Sequence, residues 1–302
     1  MISSGFDVVT GAFGNTGQFI ARRLLDQGRG VRTLTNRPNV DHPLSSEVTP
    51  LAYNFDDTEA LVENLRGSRT LYNTYWVRLS GKGAQEDAVA NSRALFEAAA
   101  RAGVERIVHI SVMHPSLDSP YPYFRRKAQV EAALADSGVS HAIVRPALLF
   151  GPGNVLVNNV AWLLRRVPVF AVAGNGQYLV RPVHVEDVAN ICVDLGQTKE
   201  EKIVNAGGPD TLTFDELVRS IKKAVGSRAL IAHVPITAVE LAGNAIGFVL
   251  RDVLTTSEEL RSTAEGLASF EGESPAATSF LTWVGANGNE LGRTYIRQPR
   301  RS

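Results

Sequence analysis

The 302-residue sequence has a single cysteine, Cys192, and no excess of either charge, since 31 Lys and Arg balance 31 Asp and Glu. One cysteine excludes an intramolecular disulfide framework and fits a reducing compartment. Cys192 lies in the apolar stretch 188–195 with nothing beside it to activate a thiolate, so it reads as a small buried apolar residue. Zero formal charge removes any global attraction to nucleic acid or to an anionic membrane. The basic run Arg297, Arg300, Arg301 reads as a solvated tail. Long apolar runs are missing too. The most suspicious stretch, 236–250, carries Glu240 and Asn244 and is too short to span a bilayer. Met1 leads almost directly into a strand-like run, without the basic start and apolar core of a signal peptide. The six histidines show no ligand spacing, so no metal is expected. These absences predict a cytoplasmic protein whose partner is a small-molecule substrate, with no nucleic acid and no membrane span. A homo-oligomer is compatible with all of them.

What is present is ordinary globular composition, 44% apolar and 21% charged, arranged in a regular rhythm. Val- and Ile-rich runs predict strands over 6–10, 31–35, 48–54, 70–75, 104–111 and 141–149. Between them, helical spacing predicts helices over 18–27, 58–65, 85–102 and 124–136, with Gly28 and Gly103 as stops. Strand and helix in steady alternation imply an α/β fold, a doubly wound parallel sheet with helices on both faces. After Phe150 the rhythm breaks at the turn cluster 151–154. A helix is predicted over 158–166, a strand over 179–183, a helix over 184–195 and a strand over 202–205. From Thr211 onward the pattern is mostly helical, over 214–224, 238–250, 257–268 and 280–295. The expected organisation is a core of residues 1–153 to which 179–206 return, and a smaller, mostly helical C-terminal substrate lobe of 154–178 and 207–302.

Two constellations carry chemistry. The first is Gly11-x-x-Gly14-x-x-Gly17 between the first strand and the first helix. Gly11 lets the chain turn, Gly14 lets backbone approach a pyrophosphate, and Gly17 lets helix and strand pack closely. The helix start supplies unpaired N–H groups and the positive end of the dipole. At the end of the second strand, an acid would bond the ribose hydroxyls of NAD. Thr35-Asn36-Arg37 stands there instead, with no acid until Asp41. Asn36 and Arg37 are suited to a ribose phosphate, which favours NADP with NAD as the alternative.

The second is Ser111 at the end of the 104–111 strand, followed by Tyr123-x-x-x-Lys127. Four residues apart on a helix, Tyr123 and Lys127 share one face. Hydride transfer to a carbonyl requires a proton for the developing alkoxide, and a tyrosine supplies it if a nearby ammonium lowers its pKa. Ser111 would hydrogen-bond the same oxygen. Tyr121 is a control, because four residues beyond it stands Arg125.

Together with Arg145-Pro146, the run 182–189 and the run 203–213, these motifs resemble the short-chain dehydrogenase/reductase superfamily in its extended and atypical branches. The likeness covers most of 6–225; further on, the chain resembles bacterial relatives of the nucleotide-binding accessory subunit of respiratory complex I. The resemblance implies a Rossmann-type sheet and an enzyme with Ser111, Tyr123 and Lys127 as catalytic residues. It places Gly11, Phe13, Gly14, Asn15, Thr16, Gly17, Asn36, Arg37, Asn54, Phe55, Thr74, Lys127 and Pro146 at the cofactor, and Asn91 as a support residue. One departure stands out. Family members commonly have small residues after the fourth strand, where this chain has Asn73-Thr74-Tyr75-Trp76. Turned inward, Tyr75 and Trp76 would crowd the nicotinamide end or line an aromatic pocket; turned outward, they would pack on the next helix.

The activity expected is an NAD(P)-dependent oxidoreductase that reduces a carbonyl or oxidises an alcohol on a small, fairly apolar substrate. Trp162, Leu163, Leu164, Phe170, Ile246 and Phe248 are candidates to wall its pocket or to form ordinary core. The alternatives are a sugar-nucleotide epimerase or dehydratase that retains its cofactor, and a non-catalytic dinucleotide-binding redox sensor or assembly subunit.

Overall fold

The computed structural model describes residues 5–36, 38–77, 84–241, 243 and 256–297. Seven strands form one sheet: β1 (Phe6–Thr10), β2 (Val31–Leu34), β3 (Val48–Leu51), β4 (Ser68–Asn73), β5 (Arg106–Ile110), β6 (His141–Pro146) and β11 (Lys202–Ala206). Their order is β11-β6-β5-β4-β1-β2-β3. Every registered pair from β3 across to β6 is parallel. Val8, Val9 and Thr10 are all fully buried, as a strand covered on both faces must be, and this explains why these strands read as continuous apolar runs. The order reverses between β1 and β4, the topological switch point at which open α/β sheets bind ligands.

Between the strands run α1 (Gly17–Asp26), α2 (Thr58–Leu65), α3 (Ala84–Ala102) and α4 (Pro122–Ala135), and α6 (Val185–Gly196) precedes β11. Helix α1 ends as its glycine predicts. Gly28 is left-handed, and the N–H groups of Gly28 and Arg29 close on the carbonyls of Leu25 and Leu24 at 2.8 and 3.1 Å. Gly103 closes α3 in the same manner. Helix α4 begins two residues earlier than the apolar spacing indicates, because Pro122 occupies its first turn. Tyr123 therefore lies in that first turn, one turn before Lys127.

The chain divides into two units: residues 1–145, 188–204 and 301, and residues 146–187, 205–300 and 302. Cys192 is fully buried in the first, where burial pushes its thiol pKa up. Within the first unit, Arg106 clamps the end of α6 and the connection to β11, donating to the carbonyls of Leu195 and Glu200 at 2.6 and 2.7 Å.

The second unit is largely helical. Its helices α5 (Val155–Leu164), α7 (Phe214–Ala224), α8 (Ser257–Ala264) and α9 (Phe280–Asn287) accompany three two-stranded sheets. In the shortest of these, β9 (Leu179–Val180) pairs antiparallel with β12 (Leu212–Thr213). Helix α7 starts with a reciprocal capping box between Thr213 and Glu216. Three expectations need correction here. The strand expected over 141–149 is two strands: Pro146 ends β6, and β7 (Leu148–Phe150) pairs with β10 (Pro182–His184). The part beyond Thr211 contains the strand β13 (Leu230–Val234), parallel to β8 (Val169–Ala173), which was likewise not expected. The last helix stops at Asn287 rather than Tyr295, capped by Gly288. A Cβ at Gly288 would stand 2.2 Å from the Ala224 carbonyl oxygen, so this is a point of close backbone approach. The helix expected over 238–250 lies largely outside the described residues, as do Ile246 and Phe248.

Candidate functional site

The glycine turn is built on close backbone contact. Gly11, at the end of β1, has φ +66°, a left-handed value that suits glycine. Its carbonyl accepts the Gly14 N–H at 2.8 Å. A Cβ at Gly17 would lie 2.2 Å from that same oxygen, and one at Gly14 would lie 3.1 Å from it. Helix α1 starts at Gly17, and its N-cap, Thr16, makes no side-chain capping bond; no acid stands in its first turn. Gly14 and Asn15 are exposed, and Phe13 is half-buried against His42 with ring centroids 5.4 Å apart. An uncapped, acid-free helix start behind an open glycine turn fits the pyrophosphate of a dinucleotide.

Beyond the turn, Asn36 is exposed after β2, and Arg37 lies outside the described residues. Asn54 takes a left-handed φ of 47°. Phe55 stacks on Tyr53 at 4.9 Å and meets Tyr75 at 5.1 Å. Thr74 ties β4 to the glycine turn, its N–H donating to Thr10 Oγ1 at 2.7 Å and its hydroxyl to the Thr10 carbonyl at 2.5 Å. Pro146 ends β6 and is buried in the second unit.

Ser111 follows β5 with its N–H on the Val144 carbonyl at 2.8 Å. Its side chain is buried, and its Oγ has no hydrogen-bond partner. Lys127 is 3% exposed, and its Nζ donates to the carbonyl of Ile110 at 3.1 Å, directly before Ser111. Burial pushes the Lys127 pKa down to about 7, against the opposing pull of Glu131. Glu131 is itself held by a two-point contact with Arg145, at 3.0 and 2.5 Å. Tyr123 is half-buried on the same helix face as Lys127.

The aromatic pair after β4 splits. Tyr75 turns into the core between sheet, α2 and α3, where its hydroxyl accepts from Asn91 Nδ2 at 3.0 Å. Trp76 packs at the margin of the same core and also reaches the catalytic candidates. Its indole lies 4.5 Å from Lys127 Nζ and edge-on to Tyr123 at 5.6 Å. Asn91 is thus a partner of Tyr75, and no hydrogen bond from it to Ser111, Tyr123 or Lys127 is observed among the described residues.

A buried polar network beneath the turn was not expected from sequence. Asn73 Oδ1 accepts from the Thr10 hydroxyl at 3.2 Å and from the Tyr75 N–H at 3.0 Å, while its Nδ2 meets His109 Nδ1 at 3.1 Å. Burial, and then the charge of Lys127, hold the His109 pKa well below its ordinary value. The available signal was three polar residues near the carboxyl ends of three adjacent strands. The apolar-wall candidates Leu164 and Phe170 belong to the core of the second unit, and Trp162 packs on Tyr295. Among the described residues there is no cluster of His, Cys, Asp and Glu able to hold a metal, and no helix long and apolar enough to cross a membrane.

Comparison with known proteins agrees with this fold. A family model described as NAD(P)H-binding matches residues 11–198. An uncharacterized protein of Mycobacterium tuberculosis is 28% identical over 242 residues, 78% of this chain and 26% of that protein. The 40 kDa subunit of NADH-ubiquinone oxidoreductase from Neurospora crassa is 26% identical, over 75% of this chain and 62% of the subunit. The chain thus spans about a quarter of its mycobacterial relatives and under two thirds of the fungal subunit. Among solved structures, triphenylmethane reductase of Citrobacter superposes with a TM-score of 0.77 at 17% identity, covering 95% of this chain and all of the other. The NADPH-dependent quinone oxidoreductase of Escherichia coli gives 0.75 at 20%, covering 93% and 99%. A nucleoside-diphosphate-sugar epimerase of Staphylococcus aureus gives 0.72 at 16%, also covering 93% and 99%. On the strength of its switch-point glycine turn, its parallel sheet and the match across 11–198, this chain belongs to the NAD(P)H-binding family of Rossmann-type proteins, with NAD(P) as cofactor.

Proposed function

We propose that this chain is an enzyme acting at an alcohol or carbonyl carbon, with Tyr123 as acid/base, Ser111 and Lys127 as its partners, and the second unit as substrate lobe. One observation carries the reading: Lys127 Nζ is anchored on the carbonyl next to Ser111, whose buried Oγ lacks a protein partner, while Tyr123 shares the Lys127 helix face. A buried hydroxyl without a partner costs about 1–3 kcal/mol, and a substrate oxygen would relieve it. When bound, the nicotinamide supplies or accepts hydride. Tyr123 moves the proton at the substrate oxygen, Ser111 orients that oxygen, and the Lys127 ammonium favours the phenolate of Tyr123. Gly11, Gly14, Gly17 and the start of α1 would hold the pyrophosphate, with Phe13, Asn15, Thr16, Asn54, Phe55, Thr74 and Pro146 around the remainder. Asn36 and Arg37 would take the ribose phosphate, which makes NADP the proposed form.

Of the two reaction outcomes open to these residues, retained-cofactor chemistry on a nucleotide sugar has the broader support. Epimerases acting on such sugars recur among the similar folds, at TM-scores of 0.60–0.72. Net reduction of an apolar substrate is the second reading, favoured by the higher superposition on the two reductases. The test has two stages. NADPH and NADH are titrated separately, by nicotinamide fluorescence, into the wild-type chain and Arg37→Ala; NADPH should bind more tightly, and the substitution should weaken NADPH selectively. Nucleotide sugars and carbonyl compounds are then screened with Tyr123→Phe as control. Product formed without change in nicotinamide absorbance supports the epimerase reading, and stoichiometric loss of NADPH supports the reductase. Turnover unaffected by Tyr123→Phe would remove that residue from the mechanism.

A further inference from the structure

The placement of Trp76 on Lys127 has a consequence for binding. The Lys127 ammonium is buried; its Nζ donates to the Ile110 carbonyl at 3.1 Å, and the indole stands 4.5 Å from it. The same indole meets the Tyr123 ring. It thus covers the two side chains that a polar ligand group would need to reach. The indole pays for this position, because its Nε1 is buried without an acceptor. An orphaned donor of this kind disfavours the arrangement in which it occurs. The backbone around it is anchored just upstream. Thr74 is tied to Thr10, and Tyr75 is tied through its N–H to Asn73 and through its hydroxyl to Asn91. The segment 74–77 is neither helix nor strand. Rotation of the Trp76 side chain would uncover Lys127 and leave those ties intact, at the expense of its packing on the core.

We infer that Trp76 is a specificity-determining cover: the nicotinamide-ribose half of the cofactor gains Lys127 only when the indole leaves, whereas the adenosine-phosphate half binds without regard to it. The inference rests on the dinucleotide reading above. It makes Trp76 a filter that lowers affinity for the whole dinucleotide relative to its adenosine fragment. Below about pH 7, where Lys127 carries its charge, a cation–π contact of this type at a desolvated site corresponds to about a five- to thirty-fold factor in a binding constant.

The test compares wild type with Trp76→Leu, using calorimetric affinities for NADPH and for 2′,5′-ADP, which lacks the nicotinamide half; NADH and ADP replace them if NADH is the form that binds. Trp76→Leu should tighten the dinucleotide by about five-fold or more and leave the fragment unchanged. Trp76→Phe, a gentler change should the first variant fold poorly, should shift in the same direction by less. Binding of NADPH should alter tryptophan emission in the wild type, and that change should be lost in Trp76→Phe. Equal effects on dinucleotide and fragment, or weaker dinucleotide binding in both variants, would overturn the inference. A fragment that binds while the dinucleotide binds neither wild type nor variant would also overturn it. If neither ligand binds any of the three proteins, the dinucleotide reading itself fails and takes the inference with it.

Discussion

Lys127 and His109 sit close together in the first unit, and burial lowers both pKa values. They act on stability over different pH ranges. Above about pH 7 the folded chain has released the Lys127 proton, which an unfolded chain keeps until near 10.5. The unfolded state then binds more protons, so this residue makes stability rise with pH across that interval, and its full cost is felt below it. Raising the pH from about 7 to about 9 should therefore stabilise the wild type relative to Lys127→Met by about 2 kcal/mol, read from urea midpoints. His109 works at lower pH. Its contribution is complete above its unfolded value of 6.5 and is lost as acid protonates the unfolded imidazole but not the buried one. Ser111, Tyr123 and Lys127 were legible because one strand end and one helix turn carry them. The Thr10–Asn73–His109 network was not, since its members are separated by 63 and 36 residues and meet only through strand pairing. The partners of Tyr75 and Trp76, Asn91 for one and Lys127 for the other, were equally hidden, because they lie 16 residues or more along the chain.

Among the elements, the glycine turn makes the sharpest prediction. Gly17→Ala would drive a Cβ to 2.2 Å from a backbone oxygen, where no side-chain adjustment relieves it. Dinucleotide binding should fall below detection and thermal stability should drop, by about 2 kcal/mol or more. Gly14→Ala, at 3.1 Å from the same atom, should keep the fold and lose less affinity. Calorimetric titration beside thermal melts separates the two, and identical behaviour would show that the turn is not held as described. The alternation of strand and helix through residue 135 was readable because helices of 8 to 19 residues show their period and frame the strands between them. Strands β8 and β13, the runs VFAVA and LIAHV, were not, because no regular strand–helix rhythm frames them after Phe150. The division of 141–149 had a local signal in Pro146, which lacks the N–H needed to continue a sheet ladder.

At the scale of the whole molecule, the first unit is assembled from two separated stretches, 1–145 and 188–204. The later stretch closes the earlier one. Arg106 reaches the carbonyls of Leu195 and Glu200, and Tyr72 packs so tightly on Gly196 that a Cβ there would lie 2.1 Å from its hydroxyl. A chain ended after Arg145 loses these partners and leaves the Arg106 guanidinium with Ser140 Oγ alone among its described acceptors. It should show no cooperative urea transition and bind no dinucleotide, although it contains the entire glycine turn; a fragment that melts sharply and binds NADPH would contradict this. The return of the chain to the sheet was expected from residue 179, whereas the unit takes it up at 188. Residues 182–184 pair with β7 instead, a long-range choice that local pattern does not encode.

The same discontinuity sets a timetable for synthesis. The glycine turn leaves the ribosome ahead of the strand that completes its sheet, which emerges close to two hundred residues later, with the first part of the second unit, 146–187, translated in between. At about 5–20 residues per second, the nascent chain spends on the order of ten seconds or more with an unpaired sheet edge exposed. If dinucleotide binding needs the completed sheet, cofactor can stabilise this chain only once translation has passed β11.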